Sequence, residues 1–155
     1  MRIRDIFSLE PEGQEIKTRA WVRTKRDSKN VCFFELNDGS CLSSIQAVIE
    51  KGNKELDTKT ELISTGAAVF VRGRLSPSPG KNQKSELSVE DFEVIGETAP
   101  DYPLQKKRHS FEFLREIAHL RPRTNTLGAV TRVRNALSFA IHRFFQERGF
   151  LWVHT

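Results

Sequence analysis

From Glu15 to Gly96 the chain places apolar side chains at every second position, in short runs parted by polar turns. A period of two puts alternate residues on opposite faces of a strand, so such runs predict strands with one buried side. In IKTRAWVRTK, Ile16, Thr18, Ala20, Val22 and Thr24 share one side, and Lys17, Arg19, Trp21, Arg23 and Lys25 the other. In VCFFELN, Cys32, Phe34 and Leu36 oppose Val31, Phe33, Glu35 and Asn37. SIQAVIE sets Ile45, Ala47 and Ile49 against Gln46 and Val48, and AAVFVRGRL and ELSVEDFEVIG read as two further strands. NDGS predicts a tight turn, because Asp-Gly tolerates positive φ.

Between the third and fourth strands, NKELDTKTELIST is polar with few β-branched pairs and predicts a short helix ended by Gly66. SPSPGKNQKS, with two prolines and a glycine, predicts an exposed loop. Five strands with a helix between the third and fourth is the order of an all-β OB-fold barrel, expected over residues 1–99. Such barrels bind nucleic acid, sugars or proteins, nucleic acid typically on the face of the second and third strands.

The outward side of those two strands is odd for a surface. It carries Phe33, Glu35 and Gln46. An exposed aromatic can stack a nucleobase, and a Gln amide offers a donor and an acceptor to a base edge. Lys25 and Arg26, at the end of the first strand, are candidates for phosphate contact; packing of Phe33 under a loop or another domain is the alternative.

Charge points the same way. Residues 1–100 hold 15 basic and 16 acidic side chains, whereas residues 101–155 hold 10 and 4. With the local run EIKTRAWVRTKRDSK, this suggests a polyanionic partner, against ordinary solvated surface charge. No run of eighteen apolar residues exists to span a membrane, and RIRDIFSLEPEG after Met1 lacks the apolar core of a signal peptide, so a cytoplasmic location is expected. Cys32 and Cys41 have no second cysteine pair and no nearby histidine, so two reduced thiols are expected rather than a metal site. His109, His119, His142 and His154 stand in no recognisable triad or ligand spacing, and no catalytic residue is assigned.

After the barrel, TAPDYPLQKKRH reads as a linker with the basic triplet Lys106, Lys107 and Arg108. Phe111, Leu114 and Ile117 then fall at helical spacing. A long helix is predicted from Asn125, its N-cap, with Val130, Val133, Leu137, Ala140, Ile141 and Phe144 as its apolar stripe and Gly149 as its stop. FLWVHT is expected to start a strand.

The stretches AWVRTKRDSKNVCFFELNDGSCLSSIQAV, VRGRLSPSPGKNQKSELSV and FLREIAHLRPRTNTLGAVTRVRNALSFAIHRFFQERGFLWVHT together resemble the N-terminal part of the class II asparaginyl-tRNA synthetases. The likeness covers essentially the whole chain, and FELNDGS and HLRPRTN are closer to the asparagine enzymes than to their aspartate and lysine relatives. The resemblance implies an anticodon-binding OB-fold, then a helical hinge over 100–125, then the start of an α+β catalytic domain over 126–155 with a long dimer-interface helix and a first strand. It implies that Phe33 stacks on the middle anticodon uridine, that Gln46 reads its edge and that Arg26 also contacts the anticodon. Glu90 or Asp91 is implied to help hold the first anticodon base, and these two with Glu35 are the weaker candidates for anticodon contact. Lys25, Lys106 and Lys107 become candidates for the tRNA backbone. The implied partner is tRNA(Asn), with ATP, Mg²⁺ and a homodimer belonging to the full enzyme, whose second and third class II motifs are absent here. Phe111, Phe144, Phe150 and Trp152 are then expected to lie bare. An aspartyl-tRNA synthetase or a stand-alone single-strand-binding module are the alternatives.

Overall fold

The computed structural model describes residues 1–80 and 83–154. It divides into two units, Met1–Arg108 and His109–Thr155.

The first unit contains α1 (Ile3–Ile6), β1 (Glu15–Asp27), β2 (Val31–Asn37), β3 (Ile45–Glu50), α2 (Lys54–Glu61), β4 (Ala68–Pro77) and β5 (Ser85–Gly96). The strands close into a barrel in the order β1-β2-β3-β5-β4. β1 is long enough to serve two neighbours: its first half pairs with β4 and its second half with β2. A short parallel contact, Ala47 with Leu87 and Val48 with Ser88, joins β3 to β5 and closes the ring. The expected OB-fold order is therefore present, with α2 between β3 and β4.

The alternation sorts the side chains as the period requires. Ile16, Thr18, Ala20 and Val22 of β1, Cys32, Phe34 and Leu36 of β2, and Ile45, Ala47 and Ile49 of β3 are all buried. β4 and β5 add Val69, Val71, Leu75, Leu87, Val89 and Phe92. Burial raises the Cys32 thiol to about 12, and a hydrogen bond with Asp27 adds to it, so this sulfur behaves as a small apolar group.

Thr24 and Lys25 depart from the simple alternation. The register shifts between Val22 and Thr24, so a bulge at Arg23 inserts one extra residue and inverts the parity beyond it. Thr24, expected inside, pairs with Glu35 on the outer side, and its hydroxyl donates to the Glu35 carboxylate at 3.0 Å. Lys25, expected outside, pairs with Phe34 and sends its ammonium to the Thr60 carbonyl at 2.6 Å.

Ile3 and Ile6 of α1 are wholly buried in the barrel core, an element with no periodic signal because one turn is too short to show a period. The loop after β2 holds this turn in place: Asp38 accepts from the Ile3 amide at 2.9 Å, and the Ser40 hydroxyl accepts from the Arg4 amide at 3.0 Å. Gly39 has the expected positive φ of 78°, but the connection runs from Asp38 to Ser44 rather than being a tight hairpin. Asn53 caps α2 by accepting from the Glu55 and Leu56 amides. α2 ends at Glu61, not at Gly66. Gly66 instead lies under the Tyr102 ring, where a Cβ would come within 2.7 Å of it, so the segment after β5 is laid back on the barrel there. Of the expected loop before β5, Lys81 and Asn82 lie outside the described residues.

The second unit holds α3 (Phe111–Glu116), a 3₁₀ turn at Arg121–Arg123 and α4 (Asn125–Gln146). Ser110 caps α3 by accepting from the Phe113 amide. Thr124 is the N-cap residue of α4 and Asn125 its first residue, one position from expectation. Residues 151–154 form no strand; a strand needs a neighbour to take its backbone hydrogen bonds, and the described residues of this unit supply none. Among the described residues no helix is long and apolar enough to cross a membrane.

Candidate nucleic-acid interface

Strand register sets two rows of side chains across the outer face of β1, β2, β3 and β5. In the first, Arg26 pairs with Phe33, Phe33 with Val48 and Val48 with Ser88. In the second, Thr24 pairs with Glu35 and Glu35 with Gln46, and Gln46 bonds Glu86 on β5. Neighbouring strands lie about 4.8 Å apart, so each row is a continuous strip.

The two rows differ in chemistry. The first is aromatic and aliphatic at its centre and cationic at one end. The Arg26 guanidinium lies 4.7 Å from the centre of the Phe33 ring, a cation–π contact that covers one side of the ring. The Arg23 bulge is what makes this possible, since unbroken alternation would turn Arg26 toward the core. The second row is polar: Thr24 donates to Glu35 at 3.0 Å, and the Gln46 amide nitrogen donates to Glu86 Oε2 at 3.2 Å. Phe33 and Gln46 are half-buried and Glu35 is exposed. A flat apolar strip beside a strip of fixed donors and acceptors can take a planar heterocycle on the first and read its edge with the second.

Arg26, Phe33, Glu35 and Gln46 are thus neighbours. Lys25 is adjacent in sequence but turned away, with its ammonium on Thr60 and 3.5 Å from Asp27. Glu90 and Asp91 lie farther along β5, engaged with other partners. Arg74 Nε donates to Glu90 at 2.8 Å, and Lys59 Nζ donates to Asp91 at 3.3 Å. Lys106 and Lys107 are exposed in the irregular segment after β5.

The acid that does touch Gln46 is Glu86, which the sequence reading passed over. Its outward parity in SELSV was a signal, but β5 carries four acids on exposed or half-buried positions and alternation cannot rank them. Only the parallel β3–β5 contact singles out Glu86. Ser78 and Gln83 join it: the Ser78 hydroxyl donates to Glu86 Oε2 at 2.9 Å and Gln83 Nε2 at 3.3 Å.

A closed five-stranded barrel with this helix placement and an aromatic, charged outer face defines an OB-fold of the nucleic-acid-binding type. The chain belongs to the tRNA anti-codon family of OB-fold nucleic acid binding domains, whose sequence profile matches residues 16–95. A curated relative, the asparagine--tRNA ligase of Microcystis aeruginosa, is 56% identical over 154 residues, 99% of this chain and 34% of that protein. The chain therefore spans about a third of the length of the curated relatives it matches. The crystal structure of asparaginyl-tRNA synthetase from Pyrococcus horikoshii superposes with a TM-score of 0.82 at 23% identity, over 99% of this chain and 37% of that one. A putative aspartyl-tRNA synthetase from Leishmania major gives 0.84 at 19% identity, over 100% and 33%. At such identities the structural likeness speaks for the fold alone.

Proposed function

We propose that this chain recognises the anticodon of tRNA(Asn) as the binding part of an asparagine--tRNA ligase, which joins L-asparagine to its tRNA at the expense of ATP. The observation that carries this reading is the pair of rows, Arg26–Phe33–Val48 beside Thr24–Glu35–Gln46, on one face of the barrel. The relatives named asparagine--tRNA ligase, at 53–57% identity, support the choice of asparagine. Phe33 stacks on the middle anticodon base and Gln46 reads its edge. Arg26, lying over one side of the Phe33 ring, also contacts the anticodon and holds phosphate. Glu90 or Asp91, paired in the free chain with Arg74 and Lys59, helps hold the first anticodon base, and Glu35 is a further candidate for anticodon contact. Lys106 and Lys107 contact the tRNA backbone.

Residues 1–99 form the anticodon domain, 100–125 the hinge and 126–155 the start of the catalytic domain, in a cytoplasmic homodimer. ATP and Mg²⁺ serve the catalytic part. Among the described residues no group of three His, Cys, Asp or Glu could hold a metal ion, and no step is assigned to either cofactor in this chain. Amino-acid activation, read as ATP–pyrophosphate exchange with asparagine, is expected to be absent from the 155-residue chain.

Binding of anticodon stem-loops tests the reading. Gln46→Ala should remove most of the preference for uridine over cytidine at the middle position, on the order of 1–3 kcal/mol. Arg26→Ala should weaken all stem-loops nearly alike and flatten the salt dependence. An unchanged uridine preference in Gln46→Ala would refute the base-reading role.

A further inference from the structure

We infer that Glu86 is a positioning residue that decides which way the Gln46 amide faces, and thereby makes the middle-base preference uridine rather than cytidine; this builds on the anticodon reading above. The bond from Gln46 Nε2 to Glu86 Oε2 crosses the parallel β3–β5 contact at 3.2 Å. The same carboxylate oxygen takes two further hydrogen bonds. Ser78 Oγ donates to the same oxygen at 2.9 Å and Gln83 Nε2 at 3.3 Å, and Gln83 Nε2 also reaches Ser78 Oγ at 2.8 Å.

An ionised carboxylate only accepts hydrogen bonds, so it admits the nitrogen end of the Gln46 amide and repels the oxygen end. With one N–H committed to Glu86, the amide presents its second N–H and its Oε1 to a ligand. Uridine carries O4 beside N3–H, an acceptor beside a donor, and pairs with both. Cytidine carries N4–H₂ beside N3, the reverse order. To read cytidine the amide would have to turn over, losing its bond to Glu86 and setting Oε1 against Oε2. Gln46 alone supplies both poles and prefers neither pyrimidine; Glu86 breaks that symmetry. Glu35, the other acid beside Gln46, accepts from Thr24 instead.

The conservative variant isolates this role. Glu86→Gln keeps nearly the same volume but can donate as well as accept, so either orientation of Gln46 keeps a partner. Two measurements on the 155-residue chain decide the matter. In ¹⁵N NMR spectra of the free protein, the Gln46 side-chain amide should show one proton shifted downfield by the carboxylate, and this shift should shrink in Glu86→Gln. In binding assays, stem-loops should carry uridine or cytidine at the middle position, each with the first anticodon base present or abasic. The wild type should favour uridine by roughly tenfold or more. Glu86→Gln should bring the ratio to within about threefold in both series, mainly by gaining cytidine binding. Ser78→Ala, which loosens the carboxylate without touching Gln46, should lower the ratio in the same direction by a smaller factor. A wild-type ratio in Glu86→Gln overturns the inference. So does a ratio that changes only when the first base is present, because Glu86 would then act on that base directly. If wild type and Gln46→Ala share one ratio while the amide signal still moves in Glu86→Gln, the base-reading role of Gln46 has failed, and the positioning role falls with it although the hydrogen bond stands.

Discussion

The barrel and the helical unit after it deploy their apolar residues in opposite ways. In the barrel, Leu36, Ile45, Ile49 and Leu87 are at most 1% exposed. On α4, Val133, Leu137 and Ile141 are 57–60% exposed, and among the apolar residues described in that unit only Leu114 is buried. Both regions carry a correct period, two for the strands and about 3.6 for the helix. A period marks which side wants to be covered; it does not provide the cover. Five strands closing on each other cover themselves, whereas one long amphipathic helix has a face that needs another element. The expected baring of Phe111, Phe144, Phe150 and Trp152 matches this, each being about half exposed or more.

The contrast can be broken most directly by truncation. Ile45→Ala removes a fully buried side chain from a closed core and should cost about 2–5 kcal/mol in urea unfolding. Leu137→Ala should change stability by no more than about 0.5 kcal/mol. A loss at Leu137 as large as that at Ile45 would mean that α4 is packed in solution.

Asp38 tests whether the barrel is held by its plug as well as its strands. Asp38→Ala frees the Ile3 amide and should cost about 1–3 kcal/mol. Burial by itself would raise the Asp38 pKa, but hydrogen bonds from the Ser40 hydroxyl and from the Ile3 and Ser40 amides outweigh it and hold the carboxyl below its ordinary range. A folded pKa below the unfolded one stabilises above the unfolded value and is lost as pH falls through the folded one. The stability gap between wild type and Asp38→Asn should therefore narrow as pH drops below about 4. A gap constant down to acid unfolding would place the contribution elsewhere.

Phe33 sharpens the comparison within the barrel itself. Phe33→Ala should weaken anticodon stem-loop binding by about 1–3 kcal/mol with little effect on the melting temperature. Loss of the fold would move Phe33 into the core and shift the β2 register by one. The smallest effect on stability is expected from Val133, Leu137 and Ile141 replaced together by serine. Melting of the barrel should hardly move, while self-association seen by sedimentation should fall, because an exposed apolar stripe promotes it. Association undiminished by the triple change would locate the sticky surface outside α4.

Much of the barrel was legible because its information is local. Cys32, Phe34 and Leu36, and again Ile45, Ala47 and Ile49, alternate within a few residues, and a strand buried on one side needs nothing more to declare its inner face. The outward side of β2 and β3, with Phe33, Glu35 and Gln46, followed from the same parity. By itself, then, the sequence determined the succession of elements along the chain, the core face and the outward-facing residues of the second and third strands. Tertiary structure alone decided the rest of the site. The Arg23 bulge is specified by pairing between β1 and β2, and it swaps Arg26 outward and Lys25 inward. Burial of α1 depends on Asp38, 35 positions beyond Ile3. Glu86 meets Gln46 across 40 positions because the barrel closes through one short parallel contact, while Glu90 and Asp91 are drawn to Arg74 and Lys59. Alternation reports only which face a residue occupies; which residue sits beside it is settled by register and closure, and those are properties of the whole barrel.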